Sequence, residues 1–164
     1  DAERQRRVPP LRRSIQELAE IGTRTGVTFL FENLPPQGWI GHDPAALAQM
    51  IRETSSERLR MCFDTGHANL TGDVASQLRD CLDVVGYLHI HDNNGRIDSH
   101  LFPGHGIIQW DSLTPLLASL PADTPAMLEL FYSTYPLQTE IKDGLGERLH
   151  AWLALTDGSR LDPA

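Results

Sequence analysis

Nowhere in the 164 residues does an apolar run approach the roughly 20 residues that a membrane-crossing helix needs, so no membrane partner is expected. Cysteine is scarce. Cys62 and Cys81 are the only two, and they lack CxxC spacing. One falls in an apolar strand and the other in a helix, so both are expected to be reduced core residues, which fits a cytoplasmic protein. Positive charge is in deficit: 14 Lys and Arg against 22 Asp and Glu leave a formal net charge of −8. That is the wrong sign for gripping a phosphate backbone, so nucleic acid is an unlikely partner on charge grounds. The cluster of Arg4, Arg6, Arg7, Arg12 and Arg13 reads instead as the solvated face of a helix. The opening DAERQRRVPPLRRS has no initiator Met and none of the apolar character of a secretion leader, and the expectation is a piece of a longer protein. No Pro-rich linker or low-complexity stretch divides the chain, and its length suits a single domain with a real core.

What the chain does contain is an alternation of two periods. Helices are expected over 14–26, 43–54, 73–85, 110–120 and 137–155, and short apolar strands over 27–33, 59–64, 86–92 and 126–131. The first strand reads as one buried on both faces. Asp43 followed by Pro44 is an N-cap and first-turn pair. Four strand–helix alternations imply right-handed βαβ units and a parallel sheet, an α/β fold.

The strand ends are polar. Glu32, Asp64 and Glu129 close or nearly close three of them, and the remaining strand carries His89, His91 and Asp92. In parallel α/β architectures the C-terminal strand ends form the active-site rim. Singly, each residue has an ordinary reading: Glu32 caps a loop, Asp64 starts a turn, His89 is a satisfied core histidine. A carboxylate at the end of an apolar strand is costly unless compensated. Repeated strand after strand, with no Lys or Arg at those strand ends, it calls for a shared cation held by Glu32, Asp64, His89 and Glu129. Mixed oxygen and imidazole donors suit Mn, Mg, Co, Fe or Zn. Asp98 and His100 form an Asp-x-His pair that, with His67, is expected to hold a second metal or contact substrate. His91 and His105 read as residues of a solvated loop. The loop 103–106, with Trp39 or Trp110, is a candidate cover for the site.

The segments FEN, CFDTGHANL, LHIHDNNGRIDSHLFPGHGIIQWDSL and LEL resemble the xylose isomerase-like TIM-barrel superfamily, which includes sugar isomerases, epimerases and endonuclease IV. The resemblance spans about residues 14–155 and implies the C-terminal half of a TIM barrel, about four strands, forming residues 1–164 as a single partial domain. A full barrel takes about 250 residues, so half a barrel with bare edges would pair with another half or form a homo-oligomer. By the resemblance, Glu32, Asp64, His89 and Glu129 correspond to the shared metal ligands, and His67, Asp98 and His100 match the residues that bind an additional zinc in endonuclease IV. The implied activity is isomerisation or epimerisation of a sugar or related hydroxy-carbonyl compound through an enediolate. A divalent metal (Mn, Mg, Co or Zn) would polarise the substrate, and Glu32 and Glu129 would remove and return the proton. Two alternatives stay open: an endonuclease IV-like phosphodiester hydrolase, and a half-barrel that binds metal without turnover.

Overall fold

The computed structural model describes residues 2–37 and 40–131, with 142, 144, 146 and 147 beyond them. Trp39 and most of the segment expected as the last helix lie outside the described residues. Helices and strands alternate: α1 (Ala2–Thr25), β1 (Phe29–Glu32), α2 (Pro44–Thr54), β2 (Leu59–Asp64), α3 (Thr65–Asn69), α4 (Val74–Arg79), β3 (Val85–Ile90), α5 (Trp110–Leu117) and β4 (Ala126–Leu128). The strands form one parallel sheet in the order β1-β2-β3-β4. This is the expected α/β half-barrel.

Alternation along each strand divides the side chains between two faces. Leu59, Met61 and Phe63 of β2 point outward with Val85 and Ile90 of β3, and all are buried. They pack against Ile15 and Ala19 of α1, Leu47 and Ile51 of α2, Leu78 of α4, and Leu113 and Leu117 of α5. The other face carries Leu30 and Glu32, then Arg60, Cys62 and Asp64, then Tyr87 and His89, then Met127. That face is the inside of the half-barrel and it is open. Leu30 is 43 % exposed, so β1 is not buried on both faces as its composition implied.

Several boundaries differ from the sequence reading, and three of them have a visible cause. Helix α1 begins at Ala2 rather than at 14, despite Pro9 and Pro10 within it. Its core-facing stripe of Leu11, Ile15 and Ala19 starts late, which hides the first turns from a periodicity argument. In those turns Glu3 pairs with Arg6 and Arg7, and Arg12 further on pairs with Glu53, which satisfies three members of the basic cluster. The helix expected over 73–85 stops at Arg79, and a 3₁₀ turn spans Leu82–Val84. Arg52 causes the break: its guanidinium donates to the Asp80 carbonyl at 2.8 Å and grips the Asp83 carboxylate at 2.9 and 2.5 Å. The Val84 N–H consequently bonds to Cys81 O at 3.0 Å. Strand β4 ends at Leu128, yet Glu129 N–H still donates to Ile90 O at 3.0 Å, so Glu129 extends the ladder by one residue. Cys62 and Cys81 are free and buried, as expected.

Candidate active site

The C-terminal ends of the strands converge. Strand β1 delivers Glu32, β2 delivers Asp64 and β3 delivers His89, with Glu129 following β4. Around His89 Nδ1 lie Glu129 Oε2 at 3.2 Å, Glu32 Oε1 at 3.5 Å and Asp64 Oδ2 at 3.7 Å. Atoms bound at about 2.0–2.2 Å from one octahedral or tetrahedral cation sit about 3.0–3.5 Å apart. His89 Nδ1 and Glu129 Oε2 are buried and have no hydrogen-bond partner among the described residues. The ion pairs of Glu32, Asp64, Asp98 and Glu129 recorded there are all with histidines, none with Lys or Arg. The Glu129 and Glu32 distances, the orphaned atoms and the donor types fit a divalent ion, with Asp64 farther out at 3.7 Å.

The second group also comes together. His67 Nε2 and His100 Nε2 approach Asp98 Oδ2 at 3.1 and 3.3 Å. The opposite nitrogens are tied to backbone: His67 Nδ1 lies 2.9 Å from Asn33 O, and His100 Nδ1 lies 2.9 Å from Glu129 O. An Nδ1–H held by a carbonyl leaves the Nε2 lone pair aimed at a common point, the arrangement typical of metal-ligating histidines. His100 reaches this position with φ 47°, left-handed backbone that few residues other than glycine adopt. Asp64 also does the ordinary job its position implied, since its Oδ1 accepts from His67 N–H at 2.7 Å and caps α3.

Electrostatics follow from the crowding. Burial opposes ionisation of Asp64, but the imidazoles of His89, His91 and His67 outweigh it and hold the carboxyl well below the usual carboxylate range. Burial also opposes charging of His67, and Glu32, Asp64, Asp98 and the Asn33 carbonyl raise it to about 9. The Asp64 carboxylate beside His89 raises that imidazole too, against its burial, with Glu32 and Glu129 adding to the effect. Cys62 shares the inner face; burial, then the charges of Glu32, Asp64 and Glu129, push its thiol up to about 12, far from a reactive thiolate.

His91 corrects the sequence reading. It is fully buried, not a solvated loop residue, and its Nε2 lies 3.0 Å from Asp64 Oδ1. It also falls within ligand distance of His67, Asp98 and His100. Its ring is stacked on that of His100, with centroids 3.8 Å apart and planes 4° from parallel. The two ring planes are parallel and separated, so one ion cannot lie in the plane of both, and His91 Nε2 faces Asp64 instead. His105 is exposed, as expected. Trp110 is a second correction: its indole N–H donates to Asp92 Oδ2 at 2.8 Å, which pins the loop and leaves the ring no role as a cover. Asp92 is fully buried and also accepts from the N–H groups of Asn93, Gly104 and Ile108 at 2.8, 3.0 and 3.2 Å, so the 93–109 loop is wound around one carboxylate. Gly106 has no side chain because a Cβ there would strike that carboxylate.

A parallel sheet of four β/α units with carboxylates and imidazoles on its C-terminal rim defines an α/β-barrel class of protein. The chain belongs to the xylose isomerase-like TIM barrel family, which it matches over residues 2–153. MJ1311 of Methanocaldococcus jannaschii is 31 % identical over 120 residues, covering 71 % of this chain and 41 % of that protein. A D-tagatose 3-epimerase-like protein of known structure is 28 % identical with a TM-score of 0.70, over 86 % of this chain and 54 % of that one. D-Psicose 3-epimerase from Clostridium cellulolyticum H10 shares the fold, with a TM-score of 0.66 at 20 % identity, over 88 % of this chain and 53 % of that one. The chain thus spans about half the length of the relatives it matches. Among the described residues no helix is long and apolar enough to cross a membrane.

Proposed function

We propose that this chain is the ligand-bearing half of a divalent-metal-dependent isomerase or epimerase acting on a sugar or related hydroxy-carbonyl compound. The convergence of three carboxylate oxygens within 3.2–3.7 Å of His89 Nδ1 supports this reading most. The likeness to a D-tagatose 3-epimerase-like protein points the same way and makes a ketose the natural first substrate to try. Residues 1–164 are read as one partial (β/α)8 domain.

In this reading Glu32, Asp64, His89 and Glu129 hold the ion. When bound, the ion would supply Lewis-acid polarisation of the substrate and would offset the negative charge that proton loss from carbon creates. The protein's own groups do the rest. Glu32 and Glu129 come from the two outer strands of the sheet and face each other across His89, so one carboxylate removes the proton from carbon and the other returns it. Asp64, whose carboxyl stays ionised at all ordinary pH values, supplies constant negative charge and takes no proton. His67, Asp98 and His100 bind a second ion or the substrate's distal hydroxyls.

That second group also favours a competing reading, a phosphodiester hydrolase of the endonuclease IV kind. The net charge of −8 weighs against it, as do the Arg–Glu pairs that occupy α1. Both readings are tested by one comparison in the full-length protein with Mn²⁺, Co²⁺ or Zn²⁺: turnover of D-tagatose and related ketoses against cleavage of a phosphodiester at an abasic site. Ketose turnover is expected, with Glu129→Gln abolishing it while substrate binding survives in part. Undiminished ketose turnover in Glu129→Gln, or phosphodiester cleavage alone, would end the proposal.

A further inference from the structure

We infer that His91 is the positioning residue that joins the two ligand groups, holding Asp64 of one through its ring nitrogen and backing His100 of the other with its ring face. The inference rests on the divalent-cation reading above and assigns a role that neither that reading nor family membership supplies.

Every residue of the segment Asp64-Thr65-Gly66-His67 meets His91. The Asp64 carboxylate lies 3.0 Å (Oδ1) and 3.2 Å (Oδ2) from His91 Nε2. The Thr65 hydroxyl donates to His91 O at 2.7 Å and accepts from His91 N–H at 3.1 Å, which fixes the backbone in both directions. Gly66 lies under the imidazole, where any side chain would overlap the ring. The glycine is needed there for room: its φ is not positive. The His67 ring meets the His91 ring edge-on with centroids 5.7 Å apart. This segment is therefore a seat built around one buried imidazole.

The seat fixes what His91 does. Its Nδ1 has no partner among the described residues, while its Nε2 faces a carboxylate, so the proton belongs on Nε2 and is donated to Asp64. That orients Asp64 within the carboxylate-rich group. On its flat side His91 stacks on His100, and His100 stacks in turn on Phe131 at 3.6 Å and 6°. The sandwich sets the plane in which His100 Nε2 approaches Asp98. Partners of this kind, one layer behind the ligands, change metal affinity by about 10–100-fold when removed.

Two substitutions separate the two duties. His91→Phe keeps a ring to stack but removes the N–H, and His91→Gln keeps an N–H donor but removes the ring. The oxygen-rich group suits Mn²⁺ and the imidazole-rich group Zn²⁺. The measurements are a Mn²⁺ titration followed by paramagnetic resonance and a calorimetric Zn²⁺ titration in saturating Mn²⁺, both on the full chain. His91→Phe is expected to weaken Mn²⁺ about 10–100-fold and to spare Zn²⁺, and His91→Gln to do the reverse. Gly66→Ala, which displaces the ring without touching residue 91, is expected to weaken both. Unchanged affinities in both position-91 variants, or equal losses for both ions in each, would overturn the role of His91. A native chain that takes up neither ion would instead overturn the cation reading itself.

Discussion

At the scale of single residues, burial against charge decides what is legible. Glu32, Asp64, His89 and Glu129 stand out in the sequence because an apolar strand ending in a charge must be compensated, and the structure gathers all four. His91 does not stand out. Strand β3 ends at Ile90, one residue before it, so its direction is set by the Thr65 hydroxyl and the space over Gly66, both tertiary effects. The same crowding predicts a pH dependence for the metal-free chain. His67 is raised from 6.5 to about 9 in the fold, so its stabilising contribution is complete below about pH 6.5 and is lost as pH climbs through 9. His89 is shifted in the same direction. Asp64 is depressed from 3.8, so its contribution is present above about pH 4 and fades as pH falls further. In the presence of a chelator, the melting temperature should therefore peak between about pH 4 and 6.5 and decline toward pH 9. A divalent ion, which needs those imidazoles unprotonated, should lift the alkaline side of the profile. A flat chelated profile from pH 6.5 to 9 would contradict the assignment.

At the scale of elements, the succession of strands and helices was readable from alternating periods, but the side-chain clamps at the strand ends were not. Where β1 ends, the Asn33 side chain takes over the ladder: its Nδ2 donates to Asp64 O at 2.9 Å and its Oδ1 accepts from Asp64 N–H at 2.8 Å. Where β2 ends, the Thr65 hydroxyl does the same for His91. At these two strand ends side chains thus replace backbone pairing at the rim. Asn33 read simply as the last residue of its strand, and its clamp was not legible because its partner lies 31 positions away. The break after α4 was hidden for a similar reason, since Arg52 comes from another helix. Asn33→Ala strips two buried partners from the Asp64 backbone and should cost roughly 1–3 kcal/mol, read as a lower urea midpoint with an unchanged slope. A midpoint equal to that of the native chain would show that the clamp carries no stability.

At the scale of the whole molecule, the half-barrel has two exposed liabilities that follow from its topology. Among the described residues β1 and β4 each have one bonded neighbour, so each presents an unpaired edge. Between them lies an inner face on which Leu30 and Met127 are 43 % and 41 % exposed. Parallel sheets are ordinarily covered on both faces, because their strands carry apolar side chains on both. Among the described residues the helices cover the outer one. The relatives of known structure are longer, and the chain covers 54 % of the D-tagatose 3-epimerase-like protein. Taken alone, the 164 residues should therefore associate with themselves: the bare edge of one copy meets that of another, and the exposed apolar side chains of the inner face are shielded from water. Sedimentation velocity on the 164-residue chain should show dimers or larger species that shrink on dilution. The paired substitutions Leu30→Lys and Met127→Lys, which place charge on the inner face without touching the candidate ligands, should move the distribution toward monomer. A native chain that sediments as a monomer over the same concentrations would mean that the open face and edges are tolerated in water, and that the polar rim alone keeps the two outer strands in register.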